Sequence, residues 1–183
     1  MLLSIPAPRF YIQVLFVALE DCETNIVALE DNIAMNQFTS NFCEYISDYI
    51  SSHNMTVIEF AKLIGCRDSC VIKWLNGYNQ PSLEYVVIVA DKLDVSVDYM
   101  IGLSNDPNKP GKHSNETFSE RLGKLIELKK VSKNKLAVCC GTTSSTVSKW
   151  LLHGQLPKPD IAVRLSEFFD CSLDYLLART DCM

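Results

Sequence analysis

A chain of 183 residues, 48% hydrophobic and 21% charged, is long enough for one domain or two small ones and too apolar to be disordered throughout. No run of about 18 apolar residues occurs, which argues against a membrane span, and eight cysteines without a C-x-x-C pair fit reduced thiols in the cytoplasm better than a disulfide scaffold or a zinc site. The formal charge of -5 argues against nucleic acid as a partner unless it hides an asymmetry between parts of the chain.

In chain order, residues 1–37 come first as an acidic extension with no counterpart later. Its apolar stretch Tyr11 to Leu19 is interrupted by Gln13 and closed by Glu20 and Asp21, and Arg9 is its single basic residue, so it does not read as a signal peptide. It carries its own echo, Val17-Ala18-Leu19-Glu20-Asp21 and Val27-Ala28-Leu29-Glu30-Asp31. Two readings stand: an amphipathic element that packs on the next domain or pairs protomers, and a poorly ordered extension with Met35 as the natural start.

Beyond it the chain repeats. Displaced by 76 residues, Phe42 to Leu103 aligns with Phe118 to Arg179. Ala61 meets Ala137, Gly65 meets Gly141, and Lys73-Trp74-Leu75 meets Lys149-Trp150-Leu151. Pro81 pairs with Pro157, and Asp98-Tyr99 with Asp174-Tyr175. Between the copies, residues 104–117 hold Pro107, Pro110 and Gly111 with almost nothing to bury, and are expected to be a flexible linker. Its fourteen residues would average about 20 Å end to end and stretch to about 45 Å. The expected domains are 38–103 and 118–180.

The second copy shows the periodicity clearly. Phe118, Leu122, Leu125 and Ile126 follow helical spacing, with Thr117 or Ser119 as N-cap and Glu120 in the first turn. Ser132 is expected to cap a short helix with Leu136, Ala137 and Cys140 facing inward, ended by Gly141. Thr143 caps the next, Asp160 opens a fourth, and Ser172 a last short one. No strand signal occurs, so the fold class is all-α, with five helices in each repeat. In "SSTVSKW", Ser144 to Trp150, serines and Lys149 occupy one side of the helix while Val147, Trp150 and Leu151 occupy the other. Serine's modest helix propensity does not account for that choice.

A helix, a glycine-ended turn and a capped second helix with small polar residues on one side suggest a helix-turn-helix. Both repeats resemble the lambda-repressor-like, or XRE, helix-turn-helix domains. The resemblance rests on the A-x-x-x-G spacing of Ala61/Gly65 and Ala137/Gly141, the Lys-Trp-Leu ends of the third helices, and the closing Asp98-Tyr99-Met100 and Asp174-Tyr175-Leu176. It implies sequence-specific binding to double-stranded DNA by a transcriptional regulator, expected to be a repressor, with no enzyme activity and no cofactor. Carried over, the base-reading positions are Thr143, Ser144, Ser145, Ser148 and Lys149, with Lys149 the first choice because lysine can donate to guanine. Phosphate contacts are expected from Lys129, Lys130, Lys133, Lys135, Gln155 and Lys158. The weaker equivalents in the first copy are Arg67, Asp68, Ser69, Ile72 and Lys73. Where the family usually has a phosphate-clamping glutamine, this chain has Val57 and Lys133; only Lys133 can replace it.

The hidden charge asymmetry is present. Phe38 to Asn105 has four basic and eight acidic residues, net -4, whereas Glu116 to Met183 has ten basic and eight acidic, net +2. The second domain is therefore the expected main reader. The rival reading is a protein-interaction role, as an antitoxin, antirepressor or oligomerisation factor, with a homodimer or protein partner engaged through the first domain or the N-terminal extension. An enzyme is disfavoured, since no glycine-rich phosphate loop, nucleophile elbow or paired carboxylates in a cleft are evident. Asp98 and Asp174 are expected to cap or anchor the terminal helices.

Overall fold

The computed structural model describes residues 23–108 and 114–182, with the backbone alone over 23–36. Most of the N-terminal extension, including the first of its two echoed segments, thus lies outside the described residues. The chain divides into two compact units, Met1–Ala34 and Met35–Met183, and both repeats belong to the second.

The first repeat is built from the later turns of α1 (Glu23–Ser52), then α2 (Val57–Ile64), α3 (Asp68–Leu75), α4 (Leu83–Leu93) and α5 (Val97–Met100). The second comprises α6 (Phe118–Leu128), α7 (Lys133–Cys139), α8 (Ser144–His153), α9 (Pro159–Phe169) and α10 (Leu173–Leu176). The expected start of the first domain at residue 38 falls inside α1. Among the described residues the only β feature is a single bridge, Val95 to Asn108.

Local chemistry sets the helix starts. At Thr117 a capping box forms: the Glu120 N–H donates to the threonine hydroxyl at 3.3 Å, and the Thr117 N–H donates to the Glu120 carboxylate at 2.7 Å. Ser132, Thr143 and Ser172 cap α7, α8 and α10 through their hydroxyls. Ser119 has another role, its hydroxyl donating to the Trp150 carbonyl at 2.6 Å and so tying α6 to the end of α8. Helix α9 opens at Pro159, one residue before the expected Asp160, because proline's fixed φ and missing N–H suit a first helical position.

Each repeat closes around a tryptophan. Trp74 packs edge-on against Phe42 with ring centroids 6.0 Å apart. Trp150 is buried with Leu122, Leu136, Val147 and Leu165 in the second core. Inside a close-packed core each such side chain contributes several kcal/mol, of order 3–5 for a tryptophan cut back to alanine. Between α7 and α8, Gly141 adopts a φ of +64° that only glycine takes without strain, turning the chain at the angle the pair requires.

The repeats also grip each other through their last helices. The N–H groups of Leu173 and Asp174, at the start of α10, donate to the Asp98 carboxylate at 2.9 and 3.0 Å. In return the Val97 N–H, at the start of α5, donates to the Asp174 carboxylate at 3.0 Å, and the Ser96 hydroxyl donates to it at 2.6 Å. Arg179 pairs with Asp174 and reaches across to Asp91 and to the Val95 carbonyl, each at 3.0 Å. Apart from the exposed Asp91 these groups are buried, Asp174 fully, and burial holds the Asp98 carboxyl above the usual carboxylate range. The segment 104–117 is tied down at both described ends: the Ser96 N–H donates to the Pro107 carbonyl, and Arg121 donates to Ser114 and Glu116.

Candidate nucleic-acid interface

Helix α8 divides as its sequence implies. Val147 and Trp150 are buried, Ser144, Ser145 and Lys149 are exposed, and Ser148 is half-buried. Thr143, named as a base reader, is also the N-cap: its hydroxyl accepts from the Thr146 N–H at 3.3 Å and lies 2.8 Å from the Ser145 hydroxyl. Two of the five named readers thus already have hydrogen-bond partners, leaving Ser144, Ser148 and Lys149 with the freer polar atoms.

The ten basic residues of the second repeat fall into two groups. Arg121 pairs with Glu116 and Asp181, Lys124 with Glu116, and Arg179 with Asp91 and Asp174, while Arg164 donates to the Cys140 carbonyl. The other six, Lys129, Lys130, Lys133, Lys135, Lys149 and Lys158, are exposed and in no ion pair among the described residues. All six border the α7–α8 pair or the loop that leaves it, where Gln155 is also exposed. The charge that remains available to a ligand is therefore concentrated on one element pair.

A feature that charge counting did not find separates the two repeats further. Among the helices after α1, those outside the second helix-turn-helix carry an acidic residue in the first turn: Glu59, Asp68, Glu84, Asp98, Glu120, Asp160 or Asp174. Helices α7 and α8 carry none. A carboxylate there complements the partial positive charge of a helix start, so its absence leaves both starts open to an outside anion. The 76-residue offset shows how the difference arises, since Lys135 and Ser144 stand where the first repeat has Glu59 and Asp68. In that first repeat Glu59 accepts from the Thr56 N–H and hydroxyl, which hold its carboxyl below the usual range, and Asp68 accepts from the Ser69 N–H at 2.8 Å.

The first repeat's reading positions Arg67, Asp68, Ser69, Ile72 and Lys73 are all exposed. Ile72 is 45% exposed and Tyr78, in the loop that follows, 78%. Val57 is half-buried against the core and does not reach out as Lys133 does. Cys140 is buried, which pushes the pKa of its thiol up to about 11.

The sequence pattern of the helix-turn-helix family matches residues 46–100 and 115–176, the two repeats in turn. The chain belongs to this family, which is not one of enzymes, and contains two copies of its fold. It is 33% identical over 67 residues to YobD of Bacillus subtilis (strain 168), described as an uncharacterized HTH-type transcriptional regulator. That similarity covers 37% of this chain and 60% of the relative's length. No solved structure matches the chain. Among the described residues no helix is long and apolar enough to cross a membrane.

Proposed function

We propose that the protein is a cytoplasmic, sequence-specific binder of double-stranded DNA that regulates transcription, with the second repeat as its main reader. The observation that carries this reading is the pairing of acid-free helix starts at α7 and α8 with six exposed lysines in no ion pair. A phosphate backbone supplies the anions that both features lack, and releases counterions as it does so. With the ends of α7 and α8 held against phosphate, Lys149 and Ser148 on α8 face base edges in the major groove. Repression is the mode we infer, since occupying a site is enough to block it.

One observation favours a second reading for the first repeat. Its helix starts are filled by its own carboxylates, and Ile72 on α3 and Tyr78 in the loop after α3 expose apolar surface, as a protein-binding face would.

The test is a salt titration of the full chain against a random-sequence duplex pool, with sequencing of the bound fraction. A motif should be enriched and affinity should fall steeply with salt. Lys149→Ala should cost about 1–3 kcal/mol on the enriched site and relax one base preference. Lys133→Ala should weaken all sequences alike and flatten the salt slope by about one unit. No binding above background at low salt would overturn the reading and direct attention to a protein partner.

A further inference from the structure

The hydrogen bonds that join the repeats follow a near two-fold rule. The Leu173 N–H donates to Asp98, and its counterpart 76 residues earlier, the Val97 N–H, donates to Asp174. Contact of residue i with j and of j's counterpart with i's is the mark of an isologous interface, the kind that normally joins two identical subunits. A second pair of equivalent segments lies together in keeping with it: Gln80 to Glu84 and Leu156 to Pro159, where the loops that leave α3 and α8 run into α4 and α9, line one shared groove of ≈ 300 Å³. The two would-be reading helices therefore end on either side of a common axis. The described ends of segment 104–117 are fastened to the body, so the relative placement of the repeats is set by the interface and not by the reach of a flexible tether.

Resting on the DNA-binding reading above, we infer that the chain is a covalent pseudo-dimer that engages one duplex as a monomer, across two unlike half-sites held at a single spacing. Asp98 and Asp174 are the positioning residues that set this spacing. The half-sites differ because the helices do. The second repeat offers Ser144, Ser148 and Lys149, and the first offers Arg67, Ile72 and Lys73 beside a repelling Asp68. One half-site is accordingly strong and the other weak, so the weak one counts only when it lies at the distance the rigid body dictates. An arginine or lysine can address guanine and an isoleucine a thymine methyl, which gives the weak half its own preference.

The experiment uses the full chain and the site enriched from the random pool. Sedimentation should give one chain per duplex, and footprinting should cover two half-sites. Inserting two or five base pairs between the halves should lower affinity at least tenfold for the natural chain. For the Asp98→Asn, Asp174→Asn double variant the same insertions should cost no more than about threefold. A DNA-free readout runs alongside: ¹⁵N relaxation should give both repeats one rotational correlation time in the natural chain and two shorter ones in the variant. Should that variant fail to fold by circular dichroism, Ser96→Ala with Asp91→Asn weakens the same contact more gently. Retained specific binding with a footprint on one half-site, or indifference to insertions, would overturn the inference and leave the DNA reading standing. Two independent correlation times in the natural chain would overturn it as well. Failure to bind any duplex would remove the DNA reading, and this inference with it.

Discussion

Fully buried, Asp174 accepts hydrogen bonds from the Ser96 hydroxyl and the Val97 N–H of the other repeat and faces Arg179, itself only 3% exposed. Truncating it strands a buried guanidinium with only half of its acidic partners and leaves two donors unmatched. Losses of this kind are large, because the penalty is the uncompensated charge and not merely the missing attraction. Asp174→Ala should therefore cost about 3–5 kcal/mol in urea denaturation. Lys149→Ala, an exposed change on α8, should stay within about 0.5 kcal/mol. Equal costs for the two would mean that the Asp174 cluster adds nothing to stability. The sequence shows only part of this. Asp174 reads correctly as an anchor for a terminal helix, but a lone sequence cannot say that the helix it anchors belongs to the other repeat.

On the scale of elements, the most informative comparison is α3 with α8, two helices of common pattern and opposite chemistry at their starts. Helix α3 begins with Asp68, and the equivalent first residue of α8 is Ser144. Ser144→Asp transplants the first repeat's choice into the second. In the free protein the new carboxylate meets the positive end of the helix and should stabilise it by about 0.3–1 kcal/mol. Against DNA the same charge faces phosphate, so affinity should fall about tenfold or more at low salt. Thermal melting and duplex binding would then move in opposite directions. A loss of both would show that Ser144 is needed for the helix itself. Much of the element pattern was legible in advance: Thr143, Ser132 and Ser172 cap as their positions imply, and Leu136, Val147 and Trp150 fall on the buried face. The division of the basic residues into paired and unpaired sets was not, because it depends on where Glu116, Asp91 and Asp181 lie in space.

For the molecule as a whole, the question is whether two small repeats behave as two proteins or as one. A unit of roughly 60 residues is marginal by itself, with a stability of about 3–9 kcal/mol at the usual 0.05–0.15 kcal/mol per residue. Across the junction the first repeat receives the Asp174 carboxylate at the start of α5 and the Arg179 guanidinium at Asp91 and Val95. The second repeat receives the Asp98 carboxylate at the start of α10. Each net hydrogen bond is worth about 0.5–1.5 kcal/mol, and more where a charge is involved, so the coupling amounts to several kcal/mol. That is comparable to the stability of either repeat, which means that unfolding one should bring down the other. Calorimetry of the natural chain should accordingly show one transition whose van't Hoff and calorimetric enthalpies agree. With Asp98→Asn and Asp174→Asn the carboxylates lose charge and half their acceptor capacity, and the single peak should separate into two. Two resolved peaks already present in the natural chain would mean that the junction is too weak to act as a rigid ruler between two half-sites.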